Sequence, residues 1–169
     1  MDNTLQDLLT LVEKGNVEQR CAALLVLGAL KISNAATTKL ISTMLDSDNP
    51  VLKDYALRYF EEVQPKNNTA QLIKMLDDGD KDMQERAVRS LTGAGQAAVQ
   101  SIVQQSKEAT RTWQLNAARV LAAVRGKAAL KGLLQMLSAG TDETNKVICD
   151  LLTPALREME TKELDGFYD

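Results

Sequence analysis

Histidine is absent from all 169 residues of the chain. Without it there is no Ser-His-Asp triad, no His-Glu metal pair and no ordinary zinc site. Cysteine is nearly absent too. Cys21 and Cys149 stand too far apart in sequence to imply a disulfide framework or a structural zinc site, and a reducing, cytoplasmic setting is expected. Neither has a candidate base or an electropositive neighbourhood, so both are read as inert thiols. Proline occurs only at positions 50, 65 and 154, and glycine is sparse and falls mostly between apolar stretches. No run approaches the ~18 apolar residues of a membrane span. The opening MDNTLQDLL has neither the basic region nor the apolar run of a signal peptide. No membrane association is expected. Positive charge is not in surplus either: the formal charge is −3, which argues against a general nucleic-acid binder.

What is present is apolar, small and periodic. The chain is 44% hydrophobic but only 4% aromatic, and Ala and Leu carry the apolar content, which suits close-packed helices better than a sheet. KDMQERAVRSLTGAG (81–95) is one copy of a unit that recurs along the whole chain. A small anchor falls at Ala23, Ala56, Ala87 and Ala117, and Ile148 takes its place in the last copy. The intervals are 33, 31, 30 and 31. A second column, the apolar pairs Leu8/Val12, Ile41/Leu45, Leu72/Leu76, Ile102/Ser106 and Leu133/Leu137, gives the same series, as a true repeat must.

Each unit reads as a helical hairpin. The second helix carries a stripe three, four and seven residues after the anchor: Val26, Leu27 and Leu30 after Ala23; Tyr59, Phe60 and Val63 after Ala56. The others are Ser90, Leu91 and Ala94; Val120, Leu121 and Val124; and Leu151, Leu152 and Ala155. That spacing is one face of an α-helix. The spacing predicts helices near 3–14, 17–31, 35–46, 50–63, 69–78, 81–92, 96–107, 111–124, 127–138 and 142–153. These pair into repeats at 3–31, 35–63, 69–92, 96–124 and 127–153 within one domain. A break is expected at Pro154, with a partial helix and tail over 154–169. Asp, Asn and Thr in the polar turns are placed to cap the helices that follow. Asp77, Asp78, Asp80 and Asp82 lack the closing bidentate Glu of a calcium loop and are read as such a turn. Trp113 is expected in the core, and the Asn67-Asn68-Thr69 sequon is set aside.

The entry to the second helix resembles that of HEAT repeats, roughly Asp-(Pro)-x-x-x-Val-Arg-x-x-Ala-x-x-x-Leu. The matching residues are Asp48 to Pro50 with Leu52, Lys53, Ala56 and Phe60; Met83, Gln84, Ala87 and Leu91; Trp113, Gln114, Ala117 and Leu121; and Gln19, Arg20, Ala23, Leu27 and Gly28. Gln replaces Arg in two copies. The short unit is similar to the repeats of bilin lyases. The resemblance covers nearly the whole chain and implies an all-α fold, a right-handed α-solenoid of about five hairpins whose second helices line the concave face. It also implies surface recognition without an activity of its own.

No catalytic residue, cofactor or metal ligand is therefore expected, and with one Trp and two Phe the chain is poorly equipped to hold an extruded base. Two residues after the anchor the second helices carry Leu25, Arg58, Arg89, Arg119 and Asp150, a row of three arginines on successive helices, with Arg20 and Lys53 flanking it. Asp54 and Glu85 each precede an arginine by four and are expected to pair with it, whereas Arg119 has Leu115 at that spacing and is expected unpaired. The functional expectation is a protein-binding scaffold using Arg20, Lys53, Arg58, Arg89, Leu115 and Arg119 toward an acidic protein or peptide. The alternatives are a nucleic-acid-backbone binder using the same row, and an accessory subunit of a bilin-lyase-like modifying enzyme.

Overall fold

The computed structural model describes residues 3–64, 69–105 and 110–157. Ser106, the sequon's Asn67 and Asn68, the side chain of Ala155, and the tail with Phe167 and Tyr168 lie outside the described residues. All regular structure among the described residues is helical. The helices are α1 (Asn3–Lys14), α2 (Val17–Ala29), α3 (Ala35–Ser42), α4 (Pro50–Val63), α5 (Thr69–Lys74), α6 (Lys81–Ala94), α7 (Gln96–Gln105), α8 (Arg111–Val124), α9 (Lys127–Ala139) and α10 (Asp142–Arg157).

Capping residues set most of the starts. Asn16 accepts from the Gln19 N–H while the Gln19 side chain accepts from the Asn16 N–H, a reciprocal capping box that opens α2. Asn34, Asn49, Asp80 and Thr110 cap α3, α4, α6 and α8 in the same sense, and Pro50 occupies the first turn of α4. The ends of the second helices form a column of their own. Lys31, Gln64, Gly95 and Arg125, each eight residues after its anchor, all have positive φ, the conformation that closes helix ends and reverses the chain.

Three boundaries differ by more than two residues from the sequence expectation. The helices expected over 35–46 and 69–78 are shorter, and each finishes in a 3₁₀ turn, Thr43–Asp46 and Met75–Asp77. The same Met-Leu-Asp triplet makes both turns, with the N–H of Ser47 or Asp78 donating to the Met carbonyl at 3.2 Å. The expected break at Pro154 is not observed: α10 runs through it to Arg157. A proline removes one helical hydrogen bond and crowds the carbonyl four residues earlier. Here Ile148 and Leu152 are buried and hold the preceding turns on the core.

The packing order is regular. Each even-numbered helix packs on the next (α2 on α4, α4 on α6, α6 on α8, α8 on α10), and the odd-numbered helices neighbour one another likewise, with α5 against the 3₁₀ turn that ends α3. The core runs between these two sets as one connected cluster from Val12 to Leu152. Ala56, Ala87 and Ala117 are fully buried, and Tyr59 meets Phe60 edge-on with ring centroids 5.2 Å apart. The stripe is wider than the sequence suggests. The residue after each of the four alanine anchors, Leu24, Leu57, Val88 and Ala118, is buried as well, because these helices are flanked by others. In the first copy the stripe is also displaced: Val26 is 42% and Leu30 59% exposed.

Candidate interaction surface

Arg58 and Arg89 stand exposed on consecutive even helices and Arg119 is half-exposed. The carboxylates they meet, however, differ from those expected. Arg58 Nε does donate to Asp54 at 2.8 Å within its helix, and its guanidinium lies 5.1 Å from the Tyr55 ring centroid. Arg89 passes over Glu85 and donates to Glu61 of the preceding even helix at 2.6 Å. Glu85 is taken instead by Arg119, through two bonds of 2.6 and 2.8 Å. The expectation that Arg119 is unpaired is thus overturned. Its partner is one repeat back, where a local spacing rule does not reach. The hydrogen bond from Arg119 holds the Glu85 carboxyl below its ordinary range and raises the guanidinium in turn.

Arg86 completes the arrangement. It bonds both Asp54 and Glu61 across the repeat junction, at 2.8 and 2.9 Å. Four arginines and three carboxylates alternate along α4, α6 and α8, so the ridge is a charge ladder and carries little surplus charge. Lys53 turns to Asp78 at 3.6 Å. Arg20 folds back and donates to the Gly15 and Glu13 carbonyls, both at 2.9 Å, closing the end of α1. Leu115 is half-buried. The structure therefore brings Arg58, Arg89 and Arg119 into one ladder and engages Arg20 and Lys53 elsewhere.

Two open grooves flank the ladder. One, of about 360 Å³, is lined by Leu24, Leu25, Gly28, Arg58, Tyr59, Glu61, Glu62 and Arg86 and is mainly polar. The other, also about 360 Å³, is mainly apolar and lies among Val88, Arg119, Ala122, Ala123, Arg125, Leu151 and Pro154.

No protein-family model and no curated protein matches this chain. Among solved structures it is similar to the crystal structure of an engineered protein determined by the Northeast Structural Genomics Consortium. The TM-score is 0.52 at 19% identity, over 92% of this chain and 80% of that one. At that identity the likeness concerns the fold alone.

Sequence reasoning missed the polar residues that join one repeat to the next. Asn116, 7% exposed, donates its side-chain amide to the Leu76 carbonyl at 2.9 Å and to Gln84 Oε1 at 3.0 Å. Gln84 in turn donates to the Asp78 carbonyl. Trp113 is in the core as expected, but its indole N–H also donates to the Ile73 carbonyl at 3.0 Å. These bonds take up carbonyls at the 3₁₀ end of the α5 segment, which a helix leaves free. Glu61 and Arg86 were likewise missed. The available signal was opposite charges and amide pairs about one repeat apart.

Among the described residues no group of three or more Cys, Asp or Glu gathers as a metal site. Asp80 caps α6 by accepting from the Asp82 N–H at 2.8 Å, and its own N–H donates to Asp78 Oδ1 at 3.0 Å. The Cys21 thiol is buried, and its pKa is pushed up by that burial and by the Asp54 charge.

Proposed function

We propose that the chain is a right-handed α-solenoid of HEAT-like hairpins serving as a non-catalytic protein-binding scaffold, with the partner lying along the even-helix, concave face. The observation that carries this reading is the pair of open grooves on that face, one polar and one apolar, at the two ends of a rigid charge ladder. A partner laid along the ridge places an apolar side chain over Ala122 and Ala123 and polar groups toward Arg58 and Glu62. The ladder fixes its register, since charged groups contribute more to specificity than to affinity. The ordered repeat packing and the structural likeness to the engineered protein support the architecture. The phosphate-backbone reading is less well supported. Asp54, Glu61 and Glu85 sit between the arginines, and a backbone binder gains affinity from uncompensated cations.

The test is capture of partners from source-cell lysate after nuclease treatment. Wild type is compared with Ala123→Asp in the apolar groove and Arg58→Glu in the polar one, both exposed positions, with circular dichroism confirming folding. The scaffold reading expects a protein retained by wild type and lost by at least one variant. Equal capture by all three, or capture abolished by nuclease, counts against it.

A further inference from the structure

The arginines of the ladder differ in what their forks hold. Arg58 and Arg89 each grip a carboxylate through Nε, Asp54 at 2.8 Å and Glu61 at 2.6 Å. Among the described residues, neither Nη of either side chain takes part in a hydrogen bond. Arg119 is the opposite case. Both its Nη groups lie on the Glu85 carboxylate, and one also reaches Asn116 Oδ1 at 3.2 Å. Arg58, Asp54, Arg86, Glu61 and Arg89 thus form one chain of alternating charge that begins and ends in an arginine whose outer edge is unused. Charge along it is nearly balanced, yet strong donors remain at its two ends.

Those ends are held in place. Asp54 and Glu61, 22% and 20% exposed, each bind Arg86 through one oxygen and the outer arginine through the other. Arg58 also lies against the Tyr55 ring. The Arg58 and Arg89 side chains are nonetheless 44% and 57% exposed. A guanidinium fixed at Nε still presents both Nη groups, a planar edge that matches the two oxygens of a carboxylate.

The spacing of the two edges selects a backbone for the ligand. Arg58 and Arg89 stand at the same position, two residues after the anchor, on α4 and α6. Packed helices lie ~8–10 Å apart, so the edges are separated by about one such step. A β-strand returns to the same side every two residues, about 6.6 Å, or every four, about 13 Å. Polyproline II returns every three, at about 9.3 Å. One step further along the face, at α8, Arg119 is closed by Glu85. What opens there is the apolar groove over Ala122 and Ala123, walled by Val88, Leu151 and Pro154.

We propose that the partner segment is an acidic polyproline II stretch. Two carboxylates three residues apart sit on Arg58 and Arg89, and an apolar side chain three residues beyond the second fills the groove at α8. This rests on the scaffold reading and its even-helix face, and names the ligand for them. The carboxylates set the register while the apolar side chain contributes much of the affinity.

Fluorescence polarisation with labelled peptides tests it. The probes are Glu-Pro-Pro-Glu-Pro-Pro-Leu and Leu-Pro-Pro-Glu-Pro-Pro-Glu, covering both chain directions, and isomers of the same composition with the acids two residues apart. One direction is expected to bind, its isomer at least about fivefold more weakly. Arg58→Gln and Arg89→Gln are each expected to weaken binding about three- to tenfold, the loss of one charge-assisted pair. Lys131→Gln, exposed on the odd-helix α9, leaves it unchanged. Circular dichroism verifies folding. Should Arg89→Gln unfold, Arg89→Lys, which keeps the charge beside Glu61 and lacks the fork, takes its place with the same expectation. No binding of either direction up to ~1 mM overturns the proposal. So do equal binding by the isomers, affinity indifferent to both arginines, and a single-stranded oligonucleotide that displaces the peptide at lower concentration than the unlabelled peptide does. If the peptides fail while Ala123→Asp still loses a captured partner, this inference falls alone. Equal capture by wild type and variants removes the scaffold reading instead.

Discussion

Asn116 is where one repeat is fastened to another, and replacing it is a direct test of the structure. Its amide reaches back from α8 to the Leu76 carbonyl and to Gln84 Oε1. Asn116→Ala removes both bonds and the 3.2 Å bond that Arg119 donates to Asn116 Oδ1, each contributing on the order of 1 kcal/mol. It also leaves the Leu76 carbonyl without a donor in a site that excludes water. The desolvation of one such group costs about 1–3 kcal/mol. Since the lost bond and the orphaned carbonyl overlap, the expected total is about 2–3 kcal/mol, which for a chain of this length lowers Tm by roughly 4–12 °C. Urea unfolding followed by far-ultraviolet circular dichroism measures it.

Asn116→Asp sharpens the test. It turns one carboxylate oxygen against the Leu76 carbonyl and Gln84 Oε1 while the other keeps the Arg119 guanidinium, so it is expected to lose the two donated bonds and fall below wild type. If Asn116→Ala stays within about 0.5 kcal/mol of wild type, or Asn116→Asp is as stable as wild type at pH 7, the bridge contributes nothing and the account of the repeat junction is wrong.

Three further outcomes are expected. A double-mutant cycle of Arg119→Ala and Glu85→Ala yields a coupling of only about 0.5–1 kcal/mol, because both side chains are 40–45% exposed. With the Glu85 carboxyl held low by Arg119, that coupling is complete above ~pH 4.5 and is lost as pH falls through the depressed folded value, which titration of the cycle detects. Tyr59→Phe loses the 2.5 Å bond to the Ile32 carbonyl and about 1 kcal/mol at pH 7. Burial pushes the Tyr59 hydroxyl above its ordinary range, so wild type loses stability as pH passes ~10 and the gap to the Phe variant narrows there, as denaturation at pH 7 and 10.5 would reveal. Ser90→Ala raises stability by about 1 kcal/mol, since the Ser90 hydroxyl is fully buried with no hydrogen-bond partner and Ala is the better helix former; a lower Tm would contradict this.

Much of the fold was legible because helix periodicity is local. The alanine anchors and the stripes after them placed the second helix of each copy and the apolar pairs the first, most within a residue or two of the ends observed among the described residues. The misses are those that depend on neighbours. Leu24 and Leu57 fall just off the stripe, and only the second flanking helix makes them core. Val26 and Leu30 fall on it, yet among the described residues no helix covers them and they are exposed. Pro154 carries a strong local preference for a break, and the buried turn before it overrides that preference. The arginine row was visible as a column, but its partners were not, because the rule applied was four residues along one helix.

The partners follow a longer rule. Glu61 meets Arg89 at a separation of 28 residues and Glu85 meets Arg119 at 34, values that straddle the repeat length. Asn116 and Gln84 obey it as well, at 32. A repeat chain therefore carries two superposed patterns: identical residues in phase, which build the core, and complementary residues offset by a few positions, which join one copy to the next. In the arginine column the second pattern holds from α4 to α8 and gives way to Leu25 and Asp150, while Lys31–Glu62 and Arg111–Glu143 still join the outer copies. Complementarity of this kind leaves the ladder electrostatically satisfied. Free energy for recognition is then available chiefly at the grooves beside the ladder and at the apolar face of α2. Charge reversal at Arg89 is accordingly expected to loosen the junction between α4 and α6, since it sets a carboxylate against Glu61.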